Sequence, residues 1–210
     1  MSDDPPRTES PAELSAAASA EWIRHVENVL RGVAHALNNR AAALAALVEL
    51  TSEPAEAPAV LREIVSTEQQ RVRDLVQVIR ALGPPRAGEE AFLPVDVVQE
   101  VALLLDHYPA MRDGGMQIDA TQAAPVRAPR WAFARALLAL SAGLAGAPAR
   151  MVITTDGDWL VICSDAGTEQ APPISALARE LARHMGGEPL AGAYGIRLPT
   201  LAALRQREGR

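Results

Sequence analysis

The sequence predicts an α+β fold, with an N-terminal antiparallel helical hairpin followed by a two-layer α/β sandwich. Three observations predict it. Apolar residues recur at spacings of three and four through residues 23–48, a second stripe of the same kind occupies 61–82, and beyond a Pro/Gly-rich linker helical and strand-like patterns alternate.

Composition sets the outer bounds. The 210 residues are 49% hydrophobic but only 3% aromatic, and the abundant alanine favours closely packed helices. A net charge of -6 argues against a nucleic-acid partner, which calls for a basic face. The single cysteine, Cys163, excludes an intramolecular disulfide, forms no zinc site by itself, and is expected in a buried strand. No run reaches the roughly 18 apolar residues of a membrane span. The N-terminus MSDDPPRTES lacks the apolar core of a signal peptide, so a cytoplasmic protein with no membrane contact is expected.

In chain order, residues 1–11 read as a disordered tail. Residues 12–83 form the hairpin. Its first helix runs to about Leu50 on the stripe Ile23, Val26, Leu30, Val33, Leu37, Ala41, Leu44, Val48. Thr51 to Pro58, TSEPAEAP, is the turn. The second helix carries Leu61, Val65, Glu68, Val72, Leu75, Ile79 and Leu82, a repeat interrupted only by Glu68. A lone hairpin leaves much of its stripes wet, and a homodimer forming a four-helix bundle covers them.

Gly83 to Pro94 is the linker, and residues 92–207 form the second domain. The pattern predicts helices at about Val95 to Tyr108, Trp131 to Ala145 and Ile174 to Met185, the last capped by Gly186-Gly187. It predicts strands at Gln117 to Asp119, Arg150 to Thr155, Trp159 to Ser164 and Tyr194 to Pro199, with Asp156-Gly157-Asp158 as a hairpin turn. A short helix and a frayed tail follow.

Chemistry concentrates in RGVAHALNNR, Arg31 to Arg40. With Leu30 and Leu37 at core positions, His35 faces solvent and Asn39, four residues on, shares its face. A neutral imidazole is a competent nucleophile, the amide is placed to hydrogen-bond a phosphoryl oxygen, and Arg40 to neutralise such a group or to pair with an acidic residue. Taken alone, an exposed helical histidine is more often a solvated side chain, which is the reading given to His25. Trp22, Trp131 and Trp159 read as packing anchors, His107 and His184 as helix-end residues, Asp156 and Asp158 as turn residues.

Through His35, Leu37, Asn38 and Asn39, HALNNR resembles the phosphoacceptor box of dimeric histidine kinases: His, an acid, Leu, Lys or Asn, Asn or Thr, Pro. A two-helix dimerisation hairpin followed by a mixed domain is also that family's layout. Two positions depart from it. Ala36 replaces the acid that assists attack on ATP, and Arg40 replaces the proline. In the second domain the resemblance implies an asparagine box, yet Ala136 and Leu140 stand where its asparagines belong. SDAGTEQ keeps Asp165 and Gly167 of the aspartate-and-glycine box but has Glu169 for its second glycine. Only Thr168 to Pro173 remain for a lid, and MGGEPLAGAYGIRLP lacks a phosphate-binding G-x-G.

The chain thus resembles dimeric histidine phosphotransferases, which keep the kinase layout but shuttle phosphate between response-regulator receiver domains. The resemblance implies that His35 exchanges a phosphoryl group with a receiver aspartate, assisted by Asn39 and Arg40. It implies no cofactor or metal of the chain's own, because the receiver brings its Mg²⁺. Two alternatives stand beside it: a non-catalytic dimeric adaptor or inhibitor, and a divergent kinase that still uses ATP.

Overall fold

The computed structural model describes residues 10–50, 58–83, 88–111, 116–145, 150–165 and 172–209. It is an α+β chain. Helix α1 (Pro11–Leu50) is followed by α2 (Pro58–Ala81), strand β1 (Glu90–Phe92), helix α3 (Pro94–Asp106) and a single 3-10 turn (Pro109–Met111). Then come β2 (Gln117–Gln122), β3 (Val126–Ala128), α4 (Arg130–Gly143), β4 (Arg150–Asp156), β5 (Trp159–Ser164), α5 (Ala176–His184), β6 (Glu188–Pro189), β7 (Gly195–Pro199) and α6 (Leu201–Glu208).

Five strands form one sheet in the order β2-β4-β5-β7-β6. β2 and β4 are parallel, as the crossover through α4 requires, and the remaining pairs are antiparallel. Asp156 pairs with Trp159 across the tip of β4 and β5, leaving Gly157-Asp158 as a two-residue loop. Gly157 has φ +56°, the left-handed conformation such a loop demands. β1 and β3 pair separately. β1, β3 and β6 lack sequence forecasts because they are two or three residues long, too short to show alternation, and β1 lies inside the stretch read as linker.

The sheet turns Met151, Ile153, Leu160, Ile162, Ile196 and Leu198 inward, where they meet Phe133, Leu137 and Leu138 of α4. α3, α4 and α5 supply the helical layer. α5 begins with Ser175 Oγ accepting from the Ala178 amide at 3.1 Å. It ends at Gly186, φ +72°, with the Gly187 amide donating to the Ala182 carbonyl at 2.8 Å, the expected glycine cap.

α1 adds a third layer over α5. Leu14, Ala18, His25, Val29 and Val33 are buried and Trp22 is partly so, a stripe repeating every three or four residues. A different face of the same helix carries Ile23, Leu30, Leu37 and Leu44, seven residues apart and 41–57% exposed. On α2, Val65, Val72 and Ile79 repeat with the same period and are also exposed. Residues 51–57 of the predicted turn, 1–9 of the predicted tail and 168–171 of the predicted lid lie outside the described residues. None of the described helices is long and apolar enough to cross a membrane.

Candidate functional site

The candidate site lies on a third face of α1. His35 and Asn39 are both exposed, and the Asn39 Nδ2 atom lies 3.3 Å from His35 Nε2. The Asn39 amide is thus within hydrogen-bond reach of the outer ring nitrogen, and both groups face solvent.

Arg40 points elsewhere. Its Nη1 lies 3.1 and 3.4 Å from the two carboxylate oxygens of Glu68 on α2, and Arg71 reaches the same carboxylate from three residues away. Glu68 is only 5% exposed, and a buried carboxylate needs such partners. The interruption in the second helix's apolar repeat is therefore an ion pair between helices. Of the three residues singled out in the sequence, the structure brings His35 and Asn39 together and turns Arg40 towards Glu68.

The backbone beside His35 is fixed by Gly32. A Cβ at this position would fall 1.8 Å from the His107 carbonyl oxygen at the end of α3. Ala36, one residue past His35, is partly buried against the same core. Position 36 thus faces apolar packing, not the solvent side that carries His35.

His25 is not the solvated side chain expected from its sequence. It is 7% exposed, with Nδ1 3.1 Å from the Tyr108 hydroxyl and Nε2 3.3 Å from Glu21 Oε1. Asn28 Nδ2 donates to the same hydroxyl at 3.1 Å, and Glu21 Oε2 accepts from the Leu177 amide in the first turn of α5 at 3.0 Å. Burial opposes ionisation of Glu21, but the His25 hydrogen bond and the Leu177 amide outweigh it and hold its pKa below the ordinary value of 4.5. This network ties α1 to α3 and α5. Three or four polar residues spaced along a helix give no sign in sequence of which side they bury.

The positions of the expected nucleotide-binding boxes are occupied by core and by structural bonds. Ala136 and Leu140 are both 0% exposed. Asp165 Oδ1 accepts from the Arg150 amide at 2.7 Å, while the Asp165 amide donates to the Arg150 carbonyl at 3.0 Å, so the carboxylate ends the β4-β5 ladder. Cys163 lies in a strand as expected but is half-buried, not buried, and that partial burial, reinforced by the Asp165 charge, pushes its thiol up. Gly167 and Glu169 lie outside the described residues. Among the described residues no cluster of three or more His, Cys, Asp or Glu is placed to hold a metal ion.

No protein-family model matches the chain, and no curated protein matches it. Among solved structures it is similar to the Acinetobacter baumannii histidine kinase AdeS, at 14% identity over 80% of this chain and 98% of that one, with a TM-score of 0.40.

Proposed function

We propose that the chain is a dimeric histidine phosphotransfer protein that exchanges a phosphoryl group between His35 and the aspartates of response-regulator receiver domains, without ATP-dependent autophosphorylation. The observation that carries this reading is the exposed His35 with its Nε2 atom 3.3 Å from the amide of the equally exposed Asn39. The Nε2 lone pair attacks phosphorus in line, an N–P bond forms, and the P–O bond to the receiver's aspartate breaks, returning that residue to a carboxylate. Asn39 swings from Nε2 to donate to a phosphoryl oxygen. The receiver supplies Mg²⁺, and Arg40, engaged by Glu68 and not by the site, braces the helix one residue beyond Asn39.

The burial of Ala136 and Leu140 supports transfer without ATP, since neither side chain offers an oxygen ligand to Mg²⁺. The antiparallel hairpin is supported by Arg40 and Glu68, which lie equally far from the connection centred on Pro54. The homodimer is supported by the two exposed heptad stripes, Ile23-Leu30-Leu37-Leu44 and Val65-Val72-Ile79, which make the seam of a four-helix bundle when a second copy covers them. The proposed receiver-docking surface is the face around Ala36, Asn39, Ala43 and Ala46, of which Ala36 is partly buried against the core and the others give close access.

Incubation with a phosphorylated receiver domain is expected to place an acid-labile label on the wild type and none on His35→Ala. Asn39→Ala should slow transfer by about tenfold or more. Undiminished label on His35→Ala would overturn the proposal. ATP and Mg²⁺ alone should leave His35 unlabelled; tight ATP binding by calorimetry would favour the divergent kinase, and partner regulation intact in His35→Ala would favour the adaptor.

A further inference from the structure

A cavity of about 610 Å³ opens where α1, the end of α2, α3 and α4 converge. Its volume lies within the range of small-molecule sites. One side chain sets its chemistry. The Arg135 guanidinium stacks 4.0 Å from the ring centre of Trp22 and 5.1 Å from that of Trp131, so two indoles flank a single cation.

Arg135 is only partly satisfied. One terminal nitrogen donates to the Gly83 carbonyl at 3.1 Å, while Nε is buried with no hydrogen-bond partner. No carboxylate among the described residues pairs with it. Of the glutamates lining the cavity, Glu100 is taken by Arg130 and Glu89 faces Arg127. Burial penalises the charged guanidinium and lowers its pKa. A half-buried cation with an orphaned donor, walled by indoles and by Leu103, Leu104 and Ala134, lacks a counter-anion.

We infer that this cavity binds a small organic monocarboxylate with an aromatic or otherwise apolar body, its carboxylate on Arg135 and its body against the indoles and leucines. Charge decides the class. Arg135 has no carboxylate partner among the described residues and can take one, whereas Glu89, Glu90 and Glu100 on the same lining repel the further charges of a polyphosphate. The ligand touches Trp22 of α1, Ala81 of α2 and Trp131 of α4 at once, which makes it a link between the two long helices and the sandwich. This reading is independent of any phosphoryl chemistry at His35.

The test is calorimetry of the full-length protein with 4-biphenylacetate and with the neutral 2-(4-biphenylyl)ethanol. The acid is expected to bind saturably, one per chain, at least tenfold more tightly than the alcohol. Arg135→Gln should remove that preference, and in a Trp159→Phe background the emission of Trp22 and Trp131 should change on binding the acid. Equal affinity for acid and alcohol, no saturable binding of the acid, or unchanged binding by a folded Arg135→Gln would overturn it. Should Arg135→Gln fail to fold, the acid-against-alcohol comparison on the wild type still decides.

Discussion

Gly32 and His107 meet backbone to backbone, with the carbonyl oxygen of one occupying the space that a side chain on the other would need. Gly32→Ala adds one methyl group. On an isolated helix that change stabilises by about 1 kcal/mol, but here the methyl would sit 1.8 Å from a backbone oxygen, and overpacking against backbone costs about 1–3 kcal/mol or more. The clash wins. Gly32→Ala is expected to lower the melting temperature by several degrees in a thermal scan; a rise would show that the contact is looser than described.

The Arg40–Glu68 pair makes opposite predictions for two substitutions. Arg40→Ala removes one partner of a buried carboxylate and should destabilise the protein by about 1–3 kcal/mol. The double variant Arg40→Met, Glu68→Leu removes both charges, restores the apolar repeat of α2 and should be neutral or stabilising. Denaturant titration of both variants separates these outcomes.

Acid should loosen the junction between α1 and the sandwich. The pKa of Glu21 is lowered in the folded state, so its contribution to stability is fully present above the ordinary value of 4.5 and is lost as pH falls through the depressed folded value. Stability measured between pH 7 and pH 3 should therefore fall more steeply in the wild type than in Glu21→Gln. Parallel curves would remove Glu21 as a source of the acid sensitivity.

Asparagines introduced at positions 136 and 140 should not create nucleotide binding. Ala136→Asn and Leu140→Asn each place an amide where the present side chain has 0% exposure, and a buried unsatisfied amide costs about 1–3 kcal/mol before cavity and strain are added. Both variants are expected to melt earlier and to give no heat with ATP and Mg²⁺. Binding by either would mean that a pocket survives beside α4.

What the sequence disclosed followed from periodicity. Both long helices, the β4-β5 hairpin and the glycine cap of α5 are local patterns, readable without knowing what packs on them. The pairing of His35 with Asn39 was legible for the same reason, since a spacing of four on a helix fixes a shared face. The direction of Arg40 was not, because its partner is 28 residues away on another helix. His25 misled because burial of a polar residue depends on Tyr108, 83 positions on. Gly32 was the better clue: it is the only glycine within α1, and an interior helical glycine often marks a close approach.

α1 serves the sandwich with one stripe, the proposed partner copy with a second and the His35 site with a third. Each residue turns the helix by about 100°, so the three are locked in phase. Inserting or deleting one residue between His25 and His35 would rotate the site out of alignment with the face anchored by Leu14, Ala18 and His25, whereas a seven-residue change returns it nearly to its starting angle. The helix can therefore drift in composition far more freely than in length, and natural length variants of this segment should come in steps close to seven.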